Sequence, residues 1–193
     1  MLPLLLGMLV FTGIHLLPMQ IDLRRGLITR YGEMAYKAVF SLVSAVGLGL
    51  IIFGYHKART HLGKNPQLWI PPPWGRHVTM LLMLPVFPLL IETYLPGRIA
   101  AAVRHPMITA AKLWAAGHLL IRGDAASLLL FGGFLAWAVA DRISLKRRER
   151  AGLVKFAQGT VVNDVIAVVV GLAIYGAMLK WGHEALIGIR LFP

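Results

Sequence analysis

The sequence predicts an all-α fold: a polytopic membrane bundle of about six transmembrane helices, formed by a single domain of residues 1–193. The chain is 58% hydrophobic with a mean hydropathy of +0.70, and it has no polar block of soluble-domain size. Its apolar residues fall into six separate runs, and its Lys and Arg residues cluster in the segments between them. The net charge of +12 therefore indicates membrane topology, and we expect no nucleic-acid partner.

The six runs are predicted at residues 2–19, about 38–55, about 78–95, 107–121, 125–141 and about 161–181. The second run contains Gly47, Gly49 and Gly54, and small residues let helices approach closely in lipid. The third contains Pro85 and Pro88, so we expect a kink there, because proline removes a backbone donor and clashes with the preceding turn. The fourth and fifth runs are separated only by a tight turn, which predicts an antiparallel pair of helices.

A polar segment of about twenty residues separates the second and third runs. Pro71 to Pro73 hold its backbone extended, and Trp69 and Trp74 flank the prolines as interfacial residues do. The segment is expected either to lie along the outer membrane surface or to cap a site within the bundle.

The distribution of positive charge predicts the orientation. The first, third and fifth loops carry twelve Lys and Arg residues and the opposite side carries seven, so the basic loops are expected in the cytoplasm and both termini outside. The basic run at residues 146–150 is expected to meet anionic lipid. The chain has no cysteine, which excludes disulfides and thiolate metal sites.

Two histidines, His15 and His118, lie inside predicted spans. An ionisable side chain at that depth is costly and usually faces the bundle interior, which favours a functional site. The alternative is a neutral histidine that bonds a carbonyl on a neighbouring helix. Trp114 lies four residues before His118 and therefore shares its helix face.

Two neutral imidazoles on separate helices, with an apolar cleft between them, are what haem b requires as axial ligands. Arg24, Arg104 and Arg142 are candidates for binding the propionates at the cytoplasmic rim. A catalytic zinc site is less favoured, because it needs three protein ligands.

Helix depth complicates the pairing of these histidines. At 1.5 Å per residue, His15 lies roughly 10 Å from the cytoplasmic end of its helix, whereas His118 lies roughly 18 Å from the start of its own. His105 matches His15 better and is kept as an alternative ligand. The proline at position 106 also permits a simpler interpretation of His105. Proline is common at the first position of a helix, and His105 would then be an interfacial residue just before that helix.

Several separate motifs carry a family resemblance over essentially the whole chain. They are His15 after Gly13, GEMAYKAVFSLVSAVGL from Gly32, HPM from His105, KLWAAGHLL from Lys112, the Gly-Asp turn, LLLFGGFLAWAV and DRISLKRR. Together they resemble the NnrU family of bacterial membrane proteins, which is similar to 15-cis-zeta-carotene isomerase, a haem b enzyme.

The resemblance implies haem ligation by His15 and by the histidine of a W-C-x-x-H stretch, which corresponds to His118. Ala115 stands where the isomerase has cysteine, so a ligand switch through that cysteine is not available. The family is associated with denitrification and nitrogen-oxide handling.

We therefore expect a haem b protein of the bacterial inner membrane, with both termini periplasmic, acting in nitrogen-oxide metabolism or as a carotenoid cis–trans isomerase. Its partners would be the lipid bilayer and a hydrophobic polyene or a diatomic gas such as nitric oxide. A non-enzymatic haem sensor or electron-transfer module is one alternative. An S-adenosylmethionine-dependent membrane methyltransferase is another, because the Arg-His-Pro stretch resembles those enzymes. Their later acidic pair is missing, since this region offers only Asp141 and Glu149.

Overall fold

A computed structural model describes residues 1–60, 65–154, 156 and 158–192. Residues 61–64 of the predicted loop and Lys155 of the last basic segment lie outside this range. Every regular element of the described residues is a helix. In chain order the α-helices are α1 (Leu2–Leu16), α2 (Ile21–Tyr31), α3 (Glu33–Thr60), α4 (Gly75–Met83), α5 (Val86–Tyr94), α6 (Arg98–Val103), α7 (Pro106–Ile121), α8 (Ala125–Ser127), α9 (Gly133–Arg150), α10 (Val161–Ala177) and α11 (His183–Ile187).

Three short segments complete the helices. The 3-10 turn Leu17–Met19 follows α1, the π-helical turn Leu128–Gly132 joins α8 to α9, and the π-helical turn Met178–Gly182 joins α10 to α11. The polar segment after the first run is itself helical, since it forms α2, where the sequence had indicated only the end of a span.

Five helical stretches of the described residues are long and apolar enough to cross a bilayer. They are Leu2–Met19, Glu33–Thr60, Gly75–Tyr94, Ala125–Arg150 and Val161–Ile187. The remaining predicted span is α7, whose 16 residues extend about 24 Å, less than the roughly 30 Å hydrocarbon core of a bilayer. The predicted all-α membrane bundle is confirmed. Five of the six predicted spans are long enough to cross a bilayer, and the sixth, α7, is shorter.

Helices α1 and α3 pack together through glycine. A Cβ atom added at Gly7 would lie 2.6 Å from the backbone nitrogen of Ile51, and one at Gly47 would lie 2.8 Å from that of Phe11. A Cβ at Gly54 would likewise collide with the backbone of Leu4. Because dispersion contacts hold helices together in lipid, this close approach explains why glycine recurs along the facing surfaces.

The predicted proline kink is present in the third span. The helix is interrupted at Leu84 and Pro85, between α4 and α5. Helix α10 then packs on α5, where a Cβ at Gly171 would lie 2.6 Å from Pro88 Cδ.

Helix α7 lies at the centre of the bundle, in contact with α4, α5 and α9. Ala110 and Ala115 on this helix are fully buried, in the two apolar cores of the described residues. Large apolar side chains are exposed along α1, α3 and α10, as expected of surfaces that face lipid.

We call the end of the bundle at which α7 begins, with Arg104, His105 and Glu149, the basic end. The end at which it finishes, with the turn Arg122 to Asp124, is the hairpin end.

Part of the polar segment covers the hairpin end. The carbonyl of Gly123 accepts hydrogen bonds from the backbone N–H groups of Leu68 (2.7 Å) and Trp69 (3.2 Å). The Asn65 side chain donates to Asp124 and accepts from the N–H of Ala126. Residues 65–69 therefore pack on the turn between α7 and α8, because their polar groups bond it.

Candidate functional site

An apolar cavity of about 140 Å³ lies near the hairpin end, between α4, α5, α7, α10 and the C-terminal residues. Its walls are mainly aliphatic, aromatic and methionine side chains. The exceptions include two histidines, His118 and His183, and Arg76. Here a deep histidine predicted from sequence, His118, lines a cavity together with a second histidine.

His118 is held in the last turn of α7. Its Nδ1 bonds the carbonyl oxygen of Trp114 at 2.8 Å, and because a carbonyl only accepts, Nδ1 must be the protonated nitrogen of the neutral ring. The lone pair is therefore on Nε2. The ring stacks on Phe131, with centroids 4.7 Å apart, and contacts Trp114 at 5.5 Å. Metal-ligating histidines commonly donate their second nitrogen to a carbonyl in this way, although His15 makes the same kind of contact.

His183 begins α11, directly after the second π-helical turn. Its ring centroid lies 6.4 Å from that of His118, and the two ring planes are within 7° of parallel. Its Nδ1 is buried and lies beside the backbone of Ile189. Sequence reasoning missed His183, because the last apolar run ends at Trp181. The only signal available was the continuation of helix-forming residues through His183 to Leu186.

His15 occupies a different environment, among aromatic rings. Its Nδ1 bonds the carbonyl of Phe11 at 2.6 Å, so its Nε2 also has a free lone pair. Its ring contacts those of Phe11, Phe40 and Trp137. Two further donors in this region, Trp137 Nε1 and Tyr36 Oη, are buried without a partner in the described residues.

The structure places His15 and His118 at different depths. His118 contacts Phe131 and His15 contacts Trp137, and these two rings are six residues apart on the continuous helix Ala125–Arg150. Six residues correspond to about 9 Å along a helix axis. Trp114 and Phe134, whose centroids are 5.5 Å apart, link the two histidine environments.

His105 and two of the predicted propionate-binding arginines converge on Glu149 at the basic end. His105 Nε2 lies 2.5 Å from Glu149 Oε1, Arg142 donates to the same oxygen at 2.6 Å, and Arg104 donates to Oε2 at 2.9 Å. The Glu149 side chain is only 8% exposed. His118 lies at the opposite end of α7, so these arginines are not at the mouth of its cavity. The third arginine, Arg24, lies over the ring of Tyr36 at 5.8 Å.

A second polar network surrounds Asp124 at the hairpin end. Its carboxylate accepts hydrogen bonds from Asn65, from the backbone and hydroxyl of Ser127, and forms an ion pair with Arg122 at 3.2 Å. Burial by itself raises the pKa of Asp124, but these hydrogen bonds and the Arg122 charge together lower the pKa below its ordinary value of 3.8. Asp124 also caps α8, because it bonds the N–H of Ser127.

No three His, Asp or Glu side chains within residues 1–60, 65–154, 156 and 158–192 gather closely enough to hold a metal ion.

These features define the class of protein: a multi-pass, all-helical membrane protein with a histidine-lined apolar cavity between its helices. The family described as NnrU protein matches residues 3–191, nearly the whole chain. The chain belongs to the NnrU family. Comparison with curated proteins and with solved structures gave no match.

Proposed function

We propose that this protein binds haem b in the apolar cavity, with His118 as an axial ligand. The observation that supports the proposal most directly is the Nδ1 hydrogen bond of His118, which leaves the Nε2 lone pair unprotonated on a side chain that lines the cavity. A neutral, oriented imidazole in an apolar environment is what haem iron takes as an axial ligand.

The side chains that line the cavity are suited to an apolar macrocycle, but the volume of the cavity is too small for one. Met80, Met83 and Met178 line it, and methionine fills and vacates irregular space easily. At about 140 Å³ the cavity is smaller than a porphyrin, so these side chains would have to move. Arg76 is the cation in the cavity wall and would hold a propionate there, whereas the predicted Arg24, Arg104 and Arg142 do not line this cavity.

Haem b would supply an iron centre for electron transfer, gas binding or isomerisation of a polyene. The rest of the chemistry comes from the chain, which excludes water from the cavity and orients His118. The apolar walls favour a nonpolar guest, either a diatomic gas such as nitric oxide in nitrogen-oxide metabolism or a hydrophobic polyene. Ala115 is fully buried and offers no ligand, so His118 cannot exchange with its neighbour three residues earlier.

An absorption spectrum of the detergent-purified protein, expressed with ample haem, tests the proposal. We expect a Soret band that is lost or greatly reduced in His118→Ala and retained in His77→Ala, since His77 is exposed on α4. A wild-type protein without a Soret band, or equal haem content in both variants, would refute the proposal. Nitric oxide should shift the band if the iron binds gas, whereas an isomerase should alter the carotenoid profile of a producing host.

The Glu149 cluster favours a second candidate, a methyltransferase-like function. Arg104 and His105 of the Arg-His-Pro stretch meet Glu149 beside a cavity of about 270 Å³, which Glu92 and Phe156 also line. This places one carboxylate next to the stretch that resembles S-adenosylmethionine-dependent enzymes. Binding of S-adenosylmethionine by calorimetry, lost in Glu149→Gln but kept in His118→Ala, would support this function. Its absence in the wild type would exclude this candidate.

We further propose a bacterial inner-membrane location with both termini in the periplasm. The basic end then faces the cytoplasm, because the first, third and fifth predicted loops carry twelve Lys and Arg residues and the opposite side carries seven. Reporter fusions that are active only in the periplasm should give signal at the C-terminus and none when inserted after Gly152. The reverse pattern would overturn the orientation.

A further inference from the structure

The polar helix α2 leaves a groove open between itself, the end of α1 and the first two turns of α3. None of the residues of α2 is buried, and the helix packs on α3 and on the 3-10 turn Leu17–Met19. The groove has a volume of about 300 Å³. Apart from the hydroxyl groups of Tyr31 and Tyr36, the side chains that line it are hydrocarbon, Leu27 and Val39 among them. The groove therefore suits an apolar chain.

The groove lies where the hydrocarbon core of a bilayer meets the lipid headgroups. Helix α2 connects two of the candidate spans, Leu2–Met19 and Glu33–Thr60. The 28 residues of α3 extend about 42 Å, against a hydrocarbon core of roughly 30 Å, so each end of a centred helix projects about 6 Å beyond the core. Tyr36 lies about 4.5 Å from the start of α3, which is the depth at which tyrosine is enriched in membrane proteins.

Positive charge is concentrated at the mouth of the groove. Helix α2 carries three exposed arginines and one acidic residue. The guanidinium carbon of Arg24 lies 5.8 Å from the ring centre of Tyr36, and that of Arg30 lies 5.2 Å from the ring centre of Tyr31. Both tyrosines line the groove, so two arginines stand directly beside it.

The acidic side chains near this mouth do not neutralise the arginines. The charge of Arg24 reaches Glu33, but the Glu33 carboxylate is bonded to Lys37 at 2.8 Å. Within the described residues, neither Arg24 nor Arg30 forms an ion pair with a carboxylate. The mouth of the groove therefore attracts an anion.

The hydroxyl group of Tyr36 supplies a second, independent indication of a ligand. Its oxygen is buried and has no hydrogen-bond partner in the part of the chain that the structure describes. An unpaired buried hydroxyl costs free energy, and a ligand oxygen would relieve that cost. The Tyr36 ring is followed along α3 by Phe40, with the ring centres 6.2 Å apart, so the hydroxyl belongs to a rigid aromatic wall of the groove.

We propose that this groove seats one anionic phospholipid. One acyl chain lies along the apolar lining, the phosphate lies between Arg24 and Arg30, and the Tyr36 hydroxyl donates to a phosphate or ester oxygen. An acyl chain is already in hydrocarbon before it enters the groove, so the preference for this lipid comes mainly from the headgroup. Arg24, which the sequence offered as a haem propionate ligand, is thereby assigned to a lipid. The proposal shares no residue with the haem proposal, and each can fail without the other.

The test is native mass spectrometry of the full-length protein, delipidated in detergent and titrated with phosphatidylglycerol or with phosphatidylcholine of the same acyl chains. We expect one phosphatidylglycerol to bind per chain. A basic residue near an anionic headgroup contributes about fivefold in affinity, so two arginines predict a preference of roughly 25-fold over phosphatidylcholine. Glycerol 3-phosphate, which has the anionic group without the chains, should not displace the bound lipid at the same concentration.

Variants separate a seated lipid from general attraction to a basic surface. Arg24→Gln and Arg30→Gln should each weaken phosphatidylglycerol binding about fivefold. Arg59→Gln is the matched control, because Arg59 lies 5.8 Å from the ring centre of Tyr55 near the other end of α3, and it should bind like the wild type.

Two further variants test the groove itself and leave every arginine in place. Tyr36→Phe keeps the ring and removes the hydroxyl, which should weaken binding about two- to tenfold. Ala35→Trp places a large side chain in the groove and should abolish the tightly bound lipid. Far-ultraviolet circular dichroism checks that each variant is folded, and Tyr36→Phe decides the question if Ala35→Trp is not.

Four results would overturn the proposal. Equal affinities for the two lipids would remove the headgroup preference, and an equal loss in Arg59→Gln and Arg24→Gln would show general attraction only. Wild-type binding by the folded groove variants would mean that the lipid lies on the surface. Displacement by glycerol 3-phosphate would mean that the site takes an anion and no acyl chain.

Discussion

The close packing of α1 on α3 allows a quantitative prediction with an internal control. In Gly54→Ala the new methyl group would meet only backbone: besides the nitrogen of Leu4, the nearest atoms are Leu4 Cα at 2.6 Å and Pro3 carbonyl carbon at 2.7 Å. Backbone atoms cannot rotate away as side chains do. Ordinary contact begins at about 3.4 Å and the Leu4 nitrogen is the nearest atom, so the helices must separate by more than about 1 Å at this point.

Such a separation loosens the buried contacts of Leu4, Met8 and Ile51, which share one core. Overpacking of this kind costs about 1–3 kcal/mol of unfolding free energy. Gly49→Ala on the same helix is the matched control, since a Cβ there meets nothing within 4 Å. It should be neutral or slightly stabilising, because alanine has the higher helix propensity by about 1 kcal/mol.

The measurement is thermal or denaturant unfolding in detergent micelles, followed by far-ultraviolet circular dichroism. Gly54→Ala should unfold at a clearly lower denaturant concentration than both the wild type and Gly49→Ala. Equal stability of the two alanine variants would show that α1 and α3 are not packed as closely as the structure has them, and the explanation of the glycine positions would be lost.

Two further predictions concern the polar networks at the two ends of the bundle. Because the pKa of Asp124 is lowered in the folded state, the ionised carboxylate stabilises the fold above the ordinary pKa of 3.8, and this stabilisation is lost as the pH falls through the folded pKa. Asp124→Asn should therefore flatten the pH dependence of the melting temperature below about pH 4. An unchanged pH profile in this variant would contradict the role assigned to Asp124. At the basic end, Glu149→Gln removes one carboxylate that holds Arg104, His105 and Arg142, so its melting temperature should fall by more than that of Glu33→Gln, which breaks only an exposed pair with Lys37. Equal melting temperatures for those two variants would mean that the Glu149 cluster does not stabilise the fold.

Local sequence features predicted much of the fold because they act over one or two helical turns. The apolar runs located the spans, and Pro85 located the interruption of the third one, since proline disrupts a helix wherever it stands. The ends of the helices were less predictable. Helix α3 continues to Thr60 and α9 to Arg150, both through charged residues, because an exposed polar turn extends a helix without needing an apolar face.

For the candidate site, the sequence singled out His118 and Trp114, and the structure places them beside each other at the cavity wall. The choice of a partner for His118 required information that no local pattern contains. The predicted depth difference between His15 and His118 persists in the structure, whereas His183 meets His118 across 65 positions of sequence. The role of Glu149 was only partly visible, because Arg142 lies two turns earlier on the same helix, whereas Arg104 and His105 come from the connection between α6 and α7.

The sequence by itself determined the class of structure, the family, the positions of the five long spans and the two histidines within helices, His15 and His118. Hydrophobicity, proline and glycine act on their own neighbourhood, so their consequences can be derived from order along the chain. Only the tertiary structure decided which histidines face each other and which end of α7 holds the arginines. Those outcomes depend on how far each helix is rotated and shifted against its neighbours. Beside the cavity, two π-helical turns of five residues each change the direction in which the following side chains point.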